Sequence, residues 1–189
     1  ADYSTDVLSA ATARILADAP GDRPRFLYLN PYATHGDDSG GSRLPLPAER
    51  HRGDARCEGI GFRRTPAWNA DPAPNRAPWL QEMQGLEALP EFDPRGWPLP
   101  RACEALLSVD EWVRAVVRFQ RSQGRLDRTL FLLTADNGMG WGDQRLFAKR
   151  APWTTRVPLY LHWPAVLGRS PSVNRVTVQN IDLAPTLVD

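Results

Sequence analysis

The sequence predicts an α/β fold with a mostly parallel sheet flanked by helices, and three observations predict it. Segments with helical spacing alternate with strand-like segments along the chain. The strand-like segments are near-continuous apolar runs, as strands covered on both faces are. Of the 189 residues, 42% are apolar, which is enough for a real core in one domain or most of one.

The elements follow in order. In DVLSAATARILAD (6–18) the apolar positions 7, 8, 11, 15 and 16 have helical spacing, with Thr5 or Asp6 able to cap the start. Pro20 and Gly21 end that helix. RFLYLN (25–30) reads as a short strand closed by Asn30-Pro31. It runs into a glycine-rich polar loop, PYATHGDDSGG, which holds His35, Asp37 and Asp38. Residues 40–100 show little periodicity and carry most of the 18 prolines, so they read as a long loop-rich insertion, functional or lid-like. Its tryptophans, Trp68, Trp79 and Trp97, either pack locally or line a sugar-sized cleft, and local packing is the simpler reading.

Order returns at Ser108, which forms a capping box with Glu111. A helical face follows at 109, 112, 113, 116 and 117, and Gly124 is the expected stop. TLFLLTA (129–135) is a strand, 136–156 a glycine-rich loop, and VPLYLHW (157–163) a further strand. A weaker strand lies at 175–179, and NIDLAPTLVD begins a helix. In open α/β sheets ligands bind beyond the carboxyl ends of the strands. His35 follows one strand, and Asp136 with Asn137 follows the next, so two polar clusters point to the same sheet edge.

The formal net charge of +1 implies neither a nucleic acid nor an acidic membrane surface as partner. No run of about 18 apolar residues predicts a membrane span. The chain opens ADYSTDVL, without Met, and reads as a piece of something longer. Cys57 and Cys103 either pair or remain two thiols, and no CxxC metal spacing occurs.

Asp136 and Asn137 offer hard oxygen ligands, suited to Ca²⁺ or Mg²⁺ rather than zinc, although Asn-Gly is also a common turn pair. The basic residues are 22 arginines and one lysine, Lys149. A lysine kept in an arginine-rich chain suggests a need for a compact point charge. Together a divalent cation and a lysine would neutralise charge building on a sulfate or phosphate oxygen during ester cleavage. His35 would donate to the same anion or protonate a leaving alcohol. His51 and His162 have weaker claims, and Asp37 and Asp38 read as solvated. No nucleophile is evident: there is no GxSxG elbow, and neither cysteine sits in an activating motif.

These segments, taken in order, resemble the sulfatases of the alkaline phosphatase superfamily. YSTDVLSAATARILAD with RFLYLNPYATHG is similar to that family's helix, strand and histidine. The stretch from LLSVDEWVRAVVRFQRSQG through TLFLLTADNGMGWGDQRLFAKRAPWTTRVPLYLHWP is similar to its metal and lysine segment, and NIDLAPTLVD to the helix beyond. PAWNADPAPNRAPWL leans toward glucosamine-6-sulfatase-like members.

The resemblance implies that 1–189 is part of a sulfatase catalytic domain with an alkaline-phosphatase-like sandwich fold. It implies Asp136 and Asn137 as Ca²⁺ ligands, Lys149 on the sulfate, and His35 on the sulfate or the leaving alkoxide. It implies a sulfated small molecule or sulfated glycan as substrate. Members of the family cleave through a formylglycine made from a C/S-x-P-S-R motif, whose hydrate attacks sulfur. No such motif occurs here, and neither CEGIG nor CEALL matches it. The nucleophile and the other acidic metal ligands are therefore expected upstream of Ala1, and the isolated chain is expected to turn over little and to be marginal or oligomeric. A phosphate or phosphonate ester hydrolase of the same superfamily and a non-catalytic truncated domain are the alternatives.

Overall fold

The computed structural model describes residues 3–18, 23–36, 44–61, 64–86 and 99–188. Helix α1 runs over Ser4–Asp18 and buries Thr5, Thr12 and Leu16. The proposed cap, Asp6, has another use. Its two carboxylate oxygens accept from the guanidinium of Arg50, each at 2.7 Å. The expected stop at Pro20-Gly21 lies outside the described residues.

A short 3₁₀ turn, Glu49–His51, and another, Ala55–Cys57, lead to helix α2 (Pro78–Gln81). Helix α3, Leu99–Ser122, is the longest element. It starts nine residues before the capping box that the sequence suggests at Ser108. The buried stripe of Ala105, Val109 and Trp112 explains why, because the helical spacing continues upstream of Ser108. Ser108 is thus buried mid-helix, and Glu111 turns away to Arg50 and His51. The far end is as expected. Gly124, at φ +63°, closes a Schellman motif in which Gly124 N–H donates to the Arg121 carbonyl and Arg125 N–H to that of Gln120.

Helix α1 packs against α3, and two cross-links hold the intervening loop to this pair. The first is ionic. Arg50 donates to Asp6 on α1 and, at 2.7 and 3.0 Å, to Glu111 on α3. Buried His51 sits with Nε2 3.2 Å from the other Glu111 oxygen. Hydrogen bonds from Arg50 hold both carboxyls below their usual range, and the two carboxylates make Arg50 harder to deprotonate. The second is covalent. Cys57 and Cys103 form a disulfide with Cα atoms 5.6 Å apart, which resolves the pairing the sequence left open. Beside it, Gly53 N–H donates to Glu104 Oε1 at 2.9 Å.

The strands form two small antiparallel ladders. Strand β1, Phe131–Thr134, pairs with β4, Leu159–His162, in the register Phe131↔His162 to Thr134↔Leu159. Strand β2, Gly140–Trp141, pairs with β3, Phe147–Ala148. The expected mostly parallel sheet is not seen among the described residues. Parallel neighbours need a crossover connection, usually a helix. Between β1 and β4 there is only the β2–β3 hairpin and a 3₁₀ turn, Pro152–Thr155, so the chain reverses and β4 returns beside β1. His162 lies within its strand as expected, with its ring near that of Phe131.

Residues 25–30 do not form the expected strand. They have the composition for one but no ladder partner among the described residues, and Phe26 and Tyr28 are each 78% exposed. The expected strand at 175–179 likewise makes no ladder. After β4 come α4 (Pro164–Leu167), a 3₁₀ turn (Asn180–Asp182) and α5 (Leu183–Val188), where the sequence placed its last helix.

Two outcomes are expected of this architecture. The disulfide closes a separation of 46 residues, so reduction is expected to lower unfolding free energy by about 3–4 kcal/mol. Urea melts with and without reductant measure this, and coincident curves would refute it. The Arg50 links depress the Asp6 and Glu111 carboxyls, so their contribution is present above the ordinary values of 3.8 and 4.5 and is lost as pH falls through the lower folded values. The melting temperature should therefore drop as pH is lowered from about 4.5, and Arg50→Gln should flatten that acid limb. An unchanged acid limb in the variant would exclude the Arg50 links as its cause.

Candidate functional site

The stretch from β1 to β4 is one long hairpin interrupted in the middle. Its stem is the β1–β4 ladder, extended by a hydrogen bond from Thr134 Oγ1 to the Pro158 carbonyl. Its tip is the β2–β3 ladder, where Gly142 N–H donates to Leu146 O. Between them the ladder breaks, and this broken middle holds Asp136 and Asn137 on one arm and Lys149 on the other. The two arms meet where Gly138 N–H donates to the Thr154 carbonyl at 2.7 Å. Thr154 Oγ1 is buried and bonds to the carbonyls of Ala151 (2.6 Å) and Lys149 (3.4 Å), tying the lysine's backbone to the same junction.

Local backbone features set each side chain out. Asp136 Oδ1 accepts the N–H of Asn137 at 2.9 Å, and the Asn137 amide nitrogen donates to the Gly138 carbonyl at 2.9 Å. One carboxylate oxygen of Asp136 and the amide oxygen of Asn137 take no hydrogen bond among the described residues. Ala148 sits at φ +60°, a left-handed conformation that costs a residue with a Cβ and recurs at functional sites. It turns the chain out of β3, and Lys149 emerges exposed immediately after. Asp136 is exposed as well.

The donor set suits a hard cation as far as it goes: two oxygens, one of them charged, at the exit of a strand. Two such oxygens fall short of the six to eight that Ca²⁺ takes. Among the described residues no group of three or more His, Cys, Asp or Glu gathers where a metal could bind.

His35 belongs to a different segment, the turn at Tyr32–Gly36. Its Nδ1 lies 3.0 Å from the Gly36 carbonyl, which can only accept, so Nδ1 carries the proton. Its ring packs beside Tyr32, and the neighbouring Gly36 bridges to Pro45. No hydrogen bond or ion pair among the described residues joins His35 to Asp136, Asn137 or Lys149. His51 is buried in the Arg50 cluster, and Asp37 and Asp38 lie outside the described residues.

The loop-rich insertion has a definite task that the sequence did not show. Asn69 N–H donates to Gly142 O, Gln144 N–H to Ala67 O, and the Trp68 indole to Trp141 O at 2.9 Å. Thr65 bonds Asp143, while Arg145 reaches Met83 O and pairs with Asp71. Leu80 and Met83 pack on Leu146 and Ala151. Trp68 therefore packs on the hairpin tip, while Trp79 is 56% exposed and Trp97 lies outside the described residues. The signal for this clamp was Gly142, whose Cβ position is filled by Leu86 and Trp68 at under 3 Å.

The comparisons with known proteins agree with one another. The family model described as Sulfatase matches residues 1–189. An N-acetylglucosamine-6-O-sulfatase of Bacteroides thetaiotaomicron is 30% identical over 86 residues, covering 44% of this chain and 15% of that protein. The human N-acetylglucosamine-6-sulfatase is 35% identical over 89 residues, covering 46% of this chain and 16% of that protein. An arylsulfatase of Volvox carteri is 26% identical across 98% of this chain, covering 31% of its own length. This chain thus spans less than a third of these relatives. No solved structure matches it significantly.

The Gly138 junction makes a direct prediction. A Cβ there would stand 3.0 Å from the carbonyl oxygens of both Thr154 and Arg156. Gly138→Ala is expected to push the arms apart at a cost of about 1–3 kcal/mol. Amide exchange at Gly138 and Thr154 should quicken while that of α3 does not, and unchanged exchange at the junction would contradict the geometry.

Proposed function

The chain belongs to the sulfatase family, and from that premise we propose that it supplies the anion-binding side and part of the metal site of a sulfate ester hydrolase acting on a sulfated sugar. The observation that carries this reading is the placement of Asp136, Asn137 and Lys149 in the broken middle of a single clamped hairpin. The names of the relatives, two of them sulfatases of N-acetylglucosamine 6-sulfate, support a sugar as the carrier of the ester.

In this reading Asp136 and Asn137 give two oxygen ligands to Ca²⁺, with Mg²⁺ an alternative. The bound cation would polarise the sulfate oxygens and offset their charge. Lys149, an exposed ammonium, contacts the sulfate as a point charge, favouring the state in which negative charge builds on the oxygens. His35 approaches the sulfate or the leaving alkoxide through Nε2. Because Nδ1 already holds a proton toward Gly36, donation from Nε2 requires the doubly protonated ring. The nucleophile, a formylglycine, would come from a C/S-x-P-S-R segment outside these residues. In that larger domain the β1–β4 ladder would form part of an alkaline-phosphatase-like sandwich whose sheet is mostly parallel.

The test uses a full-length sulfatase that carries this segment. Lys149→Ala and Asp136→Ala are each expected to lower kcat/KM for N-acetylglucosamine 6-sulfate by about 10²–10³. The corresponding phosphate ester, assayed side by side, should be the poorer substrate. Full turnover in either variant would refute the assigned roles. A preference for phosphate would move the protein to the phosphate or phosphonate ester hydrolases, and no turnover at all would favour a non-catalytic domain.

A further inference from the structure

Asn137 is the one asparagine of the chain that is followed by glycine. The others precede Pro31, Ala70, Arg76, Arg175 and Ile181. The pairing has a chemical consequence of its own. A backbone nitrogen can attack the side-chain carbonyl of the asparagine before it, and the side chain of its own residue normally shields it. Glycine has no Cβ and gives no shield.

Fit imposes that glycine. A Cβ at position 138 would stand 3.0 Å from the carbonyl oxygens of both Thr154 and Arg156. The hairpin cannot exchange Gly138 for a shielding residue without pushing its arms apart.

The same residues both prepare the attack and restrain it. The Asn137 amide nitrogen donates to the Gly138 carbonyl at 2.9 Å, which holds the side chain against the residue that would attack it. Asn137 is half-buried and its neighbour Asp136 exposed, so water reaches the pair. The nucleophile itself is engaged, because Gly138 N–H donates to the Thr154 carbonyl at 2.7 Å. While that bond holds, the proton points to the opposite arm and is closed to a base. Attack therefore requires a local opening of the junction.

We propose that Asn137 is a site of spontaneous deamidation, gated by the hydrogen bond between Gly138 and Thr154. Hydroxide removes the Gly138 amide proton, and the nitrogen bonds to the side-chain carbonyl carbon of Asn137. The carbon–nitrogen bond to the side-chain amide breaks, ammonia leaves, and a succinimide ring remains. Water then opens the ring at either carbonyl, giving aspartate or isoaspartate. Overall one water is consumed and one ammonia released. Aspartate adds a negative charge beside Asp136. Isoaspartate inserts a methylene into the main chain and takes Gly138 out of register with Thr154, so the junction no longer closes as before. Either product removes the Asn137 amide oxygen from the ligands assigned to the cation, and only this last consequence rests on the proposed function.

The full-length protein that carries this segment is incubated in mildly alkaline buffer beside a synthetic peptide of residues 133–141. Conversion is read by peptide mass and by enzymatic methylation of isoaspartate. Asn137 is expected to convert more slowly in the protein than in the peptide. The slowing should match, within about fivefold, the factor by which the Gly138 amide is protected from hydrogen exchange, because both need one opening. Thr154→Ala removes the hydroxyl's bonds to the Ala151 and Lys149 carbonyls and is expected to speed both processes about three- to tenfold. Asn174 and Asn180 serve as references in the same digest and should hold steady. Should the variant fail to fold, the comparison of conversion with exchange in the unchanged protein decides alone. Conversion at the peptide's rate, factors that differ by more than about fivefold, or conversion of Asn174 or Asn180 ahead of Asn137 would overturn the inference. None of these readouts involves turnover, so this inference and the proposed function fail separately.

Discussion

The candidate site depends on one interaction, the backbone clamp between residues 67–69 and 142–144. A two-stranded ladder of four residues is marginal alone in water. Here it forms the base of a long excursion whose middle has no ladder at all. The clamp fixes the far end by hydrogen bonds to Gly142 O and from Gln144 N–H, with Trp68 and Leu86 seated on Gly142. With both ends held, the middle can forgo regular pairing. It then presents a carboxylate, an amide and an ammonium without collapsing onto itself. The proline-rich insertion reads as functional or lid-like in the sequence, and in the fold it supplies half of every one of these contacts.

How much of this was legible follows from which signals are local. The apolar runs at 129–135 and 157–163 gave their strands, and Gly124 gave the end of α3, because burial pattern and positive φ are written in neighbouring residues. The direction of strand pairing was not legible. It is set by the reversal at 140–148, where two-residue strands are too short for any alternation to show. The start of α3 was misplaced because a capping box at Ser108 competed with apolar spacing that runs on upstream, and burial of that stripe won. RFLYLN shows the converse limit: strand composition cannot supply a partner.

The site divides in the same way. Asp136, Asn137 and Lys149 were visible as residue types, Lys149 because it is the single lysine among 23 basic residues. The backbone tie between their two arms, at Gly138 and Thr154, was not visible. Helix α3 carries three unlike links: Cys103 covalently to one loop, its neighbour Glu104 to a backbone amide, and Glu111, about two turns on, to the Arg50 cluster.

The β1–β4 ladder has an open hydrogen-bonding edge on each side among the described residues, and Leu133, Tyr160 and Leu161 lie substantially exposed on it. Such an edge accepts any extended segment that offers amides in register. The run at 24–30, with Phe26 and Tyr28 bare, has the character of such a segment. Among the described residues the ladder thus has room for a further strand on either side. Any strand added there from the same polypeptide would compete with one from a neighbouring molecule as effective against bulk concentration, and dilution is the variable that separates the two.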